Sequence, residues 1–162
     1  MTKRSIAIAL AALGFSLAAA ADDRVARFEG GIGVIPTGSA NTAVRGIPAA
    51  GQIWVISRLS ADVKSDGRTA TITVDGRGLL LGAGNSVGTT NNARVFATLF
   101  CGDTEHSTNS TPVTGGVALE PNGDFRINDE VTPTPPADCV SPALLIRNVA
   151  NRAWFAAGIP KL

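Results

Sequence analysis

The sequence predicts a single all-β domain, an antiparallel β-sandwich of the immunoglobulin-like or Greek-key type, behind a cleaved export leader. Three observations predict it. Val, Ile, Thr and Phe are frequent, and Gly, Asn and Pro punctuate them at short intervals, the composition of strands joined by turns. After residue 21 no segment sustains an apolar repeat at i, i+3, i+4 and i+7 over three turns, so no amphipathic helix is called for. Short apolar stretches instead recur at regular spacing, as in sandwiches and barrels.

The leader explains the exception. Lys3 and Arg4 give a cationic start, residues 6–21 an apolar run, and Ala19-Ala20-Ala21 a small-residue exit before Asp22-Asp23, the layout of a signal peptide. Gly14 and Ser16 make the run a poor permanent span. No cysteine follows it for lipid attachment, and Lys3-Arg4 is not a twin arginine. Cleavage is expected after Ala21, or one residue away. The expected organisation is therefore a signal peptide over 1–21, a loosely structured segment over 22–51 and a β-sandwich domain over 52–162. The protein is expected to be secreted or periplasmic, with no membrane span once the leader is removed.

About 141 of the 162 residues then remain. That suffices for one domain burying roughly two-thirds of its unfolded surface. The whole chain has 14 Lys and Arg against 13 Asp and Glu; losing Lys3 and Arg4 leaves 12 against 13, a net charge of −1. Scattered arginines and no basic block argue against nucleic acid or an anionic membrane as partner. The only cysteines, Cys101 and Cys139, are expected to form a structural disulfide in an oxidising compartment. A zinc site would need more ligands than two cysteines and one histidine supply. No cofactor is expected.

Along the chain, glycines and prolines over 22–51 suggest an edge strand around 25–28 and then an irregular loop. The ordered core is expected to start at Gln52, and Ile53-Trp54-Val55-Ile56, apolar on both faces, reads as a central strand. Asp66-Gly67 suits a two-residue type I′ turn. That turn would oppose Val63 to Ala70, Ala61 to Ile72 and Leu59 to Val74, all apolar, with Lys64, Asp62 and Arg58 on the other face. At Pro121-Asn122-Gly123 a three-residue loop fits better than a two-residue one, because it opposes Leu119 to Phe125 and Val117 to Ile127. Further strands are expected over 94–101, 142–147 and 152–158. Residues 132–138 hold three prolines and cannot be a central strand. The absence of Tyr and the Gly-broken strands argue against a transmembrane barrel with aromatic girdles.

Candidate chemistry is sparse. His106 is the only histidine and lies in a polar stretch with Asp103, Glu105 and Ser107, which reads as a solvated surface loop more readily than as a catalytic triad. Asp103, Glu105 and His106 are nevertheless the one weak candidate site. Asp103, Glu105 and Asn109 could offer calcium oxygens, without EF-hand spacing. A superoxide dismutase sandwich would need several histidines. The adjacent acids Asp129-Glu130 and Asp22-Asp23 would point to opposite faces of a strand, so neither is a glycosidase pair. The glycines of 82–88 lack the Lys-Ser/Thr of a phosphate loop. Trp54 and Trp154 sit in apolar strings and read as core before sugar platform. Asn109-Ser110-Thr111 is a formal glycosylation sequon.

Several strings resemble a group of uncharacterised bacterial secreted proteins. They are Arg45-Gly46-Ile47-Pro48 through Trp54-Val55-Ile56, Gly76-Arg77-Gly78-Leu79-Leu80-Leu81, Ala97-Thr98-Leu99-Phe100-Cys101, Asn122-Gly123-Asp124-Phe125-Arg126-Ile127, Leu144-Leu145-Ile146-Arg147 and Trp154-Phe155-Ala156-Ala157-Gly158. These are strand and turn residues, and the resemblance implies no activity and no site residue. The leading expectation is an exported, non-enzymatic protein that binds a protein or glycan, or has a structural role, at the cell surface or in the periplasm. One alternative is a pilin-like subunit assembled by strand exchange, with 22–51 as the donor arm. A second is a secreted hydrolase using His106.

Overall fold

Two kinds of strand build this fold, one buried at every second residue and one buried at nearly every residue. The computed structural model describes residues 23–37 and 42–161, so the leader and its cleavage site lie outside the described residues. Eleven strands follow in order: β1 Arg24–Gly33, β2 Trp54–Val55, β3 Arg58–Ser65, β4 Ala70–Arg77, β5 Leu80–Leu81, β6 Arg94–Cys101, β7 Thr104–Ser107, β8 Val117–Ala118, β9 Phe125–Glu130, β10 Ala143–Asn148 and β11 Trp154–Pro160. Nine form one sheet in the order β7-β6-β10-β11-β1-β3-β4-β9, with β8 also on β6; β2 and β5 form a small second sheet. Every strand pair is antiparallel. Beyond β9 the chain reaches β7, where Ser107 and Thr132 exchange two 2.9 Å backbone hydrogen bonds. The sheet thus curls round on itself, and its two halves face each other across one core. The all-β, antiparallel domain expected from composition is present.

In β3 and β4 the inward residues Leu59, Ala61, Val63, Ala70, Ile72 and Val74 are buried and alternate with more accessible ones. Their register differs from expectation by two residues: Val63 faces Ile72, Ala61 faces Val74 and Ser65 faces Ala70. The Asp66 carboxylate accepts the N–H groups of Arg68 and Thr69, both at 2.8 Å, and the Asp66 N–H donates to the Thr69 carbonyl. Only Gly67 there has a positive φ, 85°. The turn is therefore centred one residue later. A shift of two keeps every side chain on its expected face.

The segment 22–51 is not loose throughout. β1 is a ten-residue strand inside the sheet, paired with β11 on one edge and β3 on the other. Its glycines mark close approach, not a loop. A Cβ on Gly33 would lie 2.1 Å from the Trp54 carbonyl oxygen, and one on Gly31 would lie 2.7 Å from Leu59. The string around Trp54 is correspondingly not a central strand: β2 has two residues, pairs only with β5, and leaves Val55 48 % exposed.

The turn after Glu120 closes as a three-residue loop, with the Glu120 N–H donating to Asp124 O and Gly123 at φ 82°. Past the tip the strands separate. Val117 pairs with Val95 of β6 and Ile127 with Val74 of β4, so the expected Val117–Ile127 pair is replaced by two others. This divergence turns the sheet from one half to the other.

Candidate functional site

Cys101, the last residue of β6, is disulfide-bonded to Cys139. The bridge spans 38 residues and encloses β7, β8 and β9. In the chain-entropy model a closed loop of that size contributes about 4 kcal/mol.

The three residues of the weak candidate site, Asp103, Glu105 and His106, are close in sequence but do not converge. β7 pairs Glu105 with Phe100 and His106 with Leu99, so successive side chains leave on opposite faces of the sheet. His106 enters the interior and is 2 % exposed, which corrects its reading as a solvated loop residue. Its Nδ1–H donates to the Pro133 carbonyl at 2.6 Å, while Nε2 is buried with no partner among the described residues. Asp103 sits in the β6–β7 turn with a fully exposed side chain and pairs with Arg45 Nη1 at 3.1 Å. Glu105 takes the outer face and accepts from Arg147 Nη1 at 2.6 Å and from the Ser107 hydroxyl at 2.9 Å.

Arg147 carries the polar layer on that outer face. It is 3 % exposed and also donates to Thr98 Oγ1 at 3.2 Å and, through Nε, to the Arg152 carbonyl at 2.9 Å. Its guanidinium lies 5.0 Å over the Phe96 ring. Burial pushes it below its ordinary pKa, and the Glu105 carboxylate opposes that shift. The network is closed on itself and serves packing.

Other sequence candidates are also absorbed by the fold. Asp129 accepts the Asn109 N–H at 3.1 Å, and Asn109 Oδ1 accepts from Thr111. Trp54 and Trp154 are 4 % and 8 % exposed; Trp54 stacks on Phe155 at 3.9 Å, and Trp154 Nε1 donates to the Thr42 carbonyl. Among the described residues no three His, Cys, Asp or Glu side chains could together hold a metal ion.

A cleft of about 630 Å³ opens between three separated segments: 50–54, 91–94 and 148–151. Two turns shape it. Asn91 and Asn92 have φ of 49° and 52°, and the Ala93 N–H donates to Thr90 O, the arrangement of a type I′ turn. Asparagine tolerates that conformation better than other non-glycine residues. Opposite stands the β10–β11 hairpin tip, where Asn148 Oδ1 accepts the Ala150 N–H and Asn151 Oδ1 accepts the Ala153 N–H. Those bonds orient both amides and leave each Nδ2 as an unused donor among the described residues. Trp54 and Phe155 contribute the aromatic part of the lining.

Arg94 also lines the cleft. Its Nε and Nη2 donate to Gly115 O, and Nη2 also to Gly116 O, at 2.8–3.2 Å. All these acceptors are neutral carbonyls. Among the described residues no carboxylate pairs with Arg94, and its Nη1 has no partner. A smaller cleft of about 480 Å³, lined by Arg77, Asp124 and Arg126, differs in this respect. There Arg77 pairs with Asp75 and Asp124, and Arg126 with Asp75, at 2.8–3.0 Å. The hydrogen bond from Arg77 is the main cause holding Asp75 below its usual pKa, and Asp75 in turn raises Arg77.

Among the described residues that line the larger cleft there is no Asp, Glu, His, Lys, Cys, Ser or Thr. It offers amides, one guanidinium and apolar surface, a set suited to holding a ligand. Its only sequence trace is a doublet and a near-pair of turn asparagines. No family model, curated protein or solved structure matches the chain.

Proposed function

We propose that this chain is an exported, non-enzymatic binding domain of the cell surface or periplasm. It takes its ligand in the cleft between the 91–94 turn and the β10–β11 hairpin tip. The observation that carries the reading is the lining: convergent, partly unpaired amides beside an aromatic pair, the makeup of a small-ligand site. The Cys101–Cys139 disulfide fits an oxidising compartment, in keeping with the leader at 1–21 and the resemblance to secreted proteins. No helix among the described residues is long and apolar enough to cross a membrane.

Two observations weigh against the alternatives. Strand exchange needs a free donor arm, yet β1 is hydrogen-bonded along both edges within its own chain. A hydrolase built on His106 would need that side chain beside an acid and open to substrate, yet Glu105 leaves the sheet on the other face.

Ala150→Trp tests the reading. Ala150 is exposed at the hairpin tip, so an indole there fills the cleft without entering the core. Glycan and protein arrays probed with the chain lacking residues 1–21 should give ligands whose signal falls at least tenfold in the variant. No ligand, signals unchanged by the variant, or turnover of a bound compound would overturn the proposal.

A further inference from the structure

The charge and framing of the same cleft narrow its ligand, an inference that rests on the binding reading above. We infer that the cleft takes a saccharide bearing a carboxylate, with Arg94 as the residue that recognises the acid. A partly buried guanidinium is costly to desolvate, and chains ordinarily set a carboxylate against it. Arg147, buried over Phe96, follows that rule with Glu105, and the part-buried side chain of Arg45 follows it with Asp103. Arg94 instead uses three N–H groups on the Gly115 and Gly116 carbonyls. These bonds fix the guanidinium plane without neutralising it, and Nη1 remains available. A guanidinium held this way is preorganised for a carboxylate supplied from outside the chain.

The remaining lining argues for a sugar over a peptide. Extended peptides are bound by adding main-chain hydrogen bonds to an open strand edge. This cleft is walled by turns: the Asn91-Asn92 turn, Pro112 and the Asn148–Asn151 tip. Amides oriented by their own backbone bonds present donors at fixed positions, which suits the equatorial and axial hydroxyls of a ring. The lining also includes the apolar residues Ala50, Ala93, Val149, Trp54 and Phe155; Ala93 is the most accessible of them, and Trp54 and Phe155 are buried against each other.

The test compares uronic-acid oligosaccharides with the same oligosaccharides after carboxyl reduction, by titration calorimetry on the chain lacking residues 1–21. The carboxylate form should bind about tenfold or more tightly, with the preference shrinking as salt rises, because a charge-assisted hydrogen bond is screened and lost together. Arg94→Gln should bring the two forms within about twofold of each other, and Ala150→Trp should abolish both. Equal binding of the two forms to the unaltered chain would overturn the carboxylate assignment and leave the binding reading standing. That comparison needs no variant, so it holds even if Arg94→Gln does not fold. A preference that survives Arg94→Gln, or binding of a free-carboxylate peptide in place of either saccharide, would overturn it too. Loss of all ligands from the cleft would remove the binding reading itself.

Discussion

The half-sheet β1-β3-β4-β9 and the half-sheet β7-β6-β10-β11 meet across one core but treat their outer faces differently. In β3 and β4 every outward residue is exposed or half-buried, and ion pairs such as Arg24–Asp62 and Arg126–Asp75 lie on that face. In β6 seven consecutive residues, Val95 to Cys101, are buried, and in β10 four are, Leu144 to Arg147. Something must cover the outer face of the second half. Part of the cover is the irregular segment after β1: Trp154, paired with Arg147 of β10, donates its Nε1–H to the Thr42 carbonyl. Part is Arg147 and Arg152, both over Phe96. Polar groups on the wet half are held weakly by water-exposed pairs, whereas those on the covered half must satisfy one another completely.

The sharpest way to break this comparison is to truncate the same face in both halves. Leu145 is fully buried on the outer face of β10, while Thr71 lies exposed on the outer face of β4. Leu145→Ala should cost about 2–5 kcal/mol in urea unfolding and Thr71→Ala no more than about 0.5 kcal/mol. Similar costs at the two positions would show that the second layer does not pack. Next in size is the Arg147–Glu105 pair. Glu105→Ala should cost about 1–3 kcal/mol, because it leaves a buried guanidinium without its carboxylate. Adding Arg147→Met should cost less than the two single changes combined; additivity in that cycle would argue against a coupled network.

The smallest effect lies on the wet half. Asp75 is held below its usual pKa by Arg77, so its contribution is present above the unfolded value and is lost as pH falls through the folded one. Asp75→Asn should therefore lower stability at pH 7 by less than about 1 kcal/mol, with the gap closing toward about pH 3. Thermal melts across that range check the sign. A gap that widens in acid would contradict it.

Legibility in the sequence followed the same divide. β6 was readable to its ends, since a string that is apolar from Val95 to Cys101 but for Thr98 has few other uses. The faces of β3 and β4 were readable because alternation fixes parity, while their register was not, because the Asp66 side chain, which moves the turn, leaves no trace in the pattern. β1 was obscured by glycines that look like turn residues until Leu59 and Trp54 are seen against them. His106 was misplaced because its neighbours are polar, and only pairing with β6 shows which way it points. The cleft had no readable signal beyond Asn91-Asn92 and Asn148 with Asn151, since three segments far apart in the chain compose it.

The position of the disulfide has a consequence for survival among proteases. Cys101 and Cys139 bracket β7, β8, β9 and the exposed loop carrying Val113, which is 86 % accessible. A single cut anywhere between the two cysteines leaves both fragments covalently joined. The three strands stay tethered at the seam where Ser107 meets Thr132. The exposed loop around Val113 is thus one whose cleavage would not release a piece.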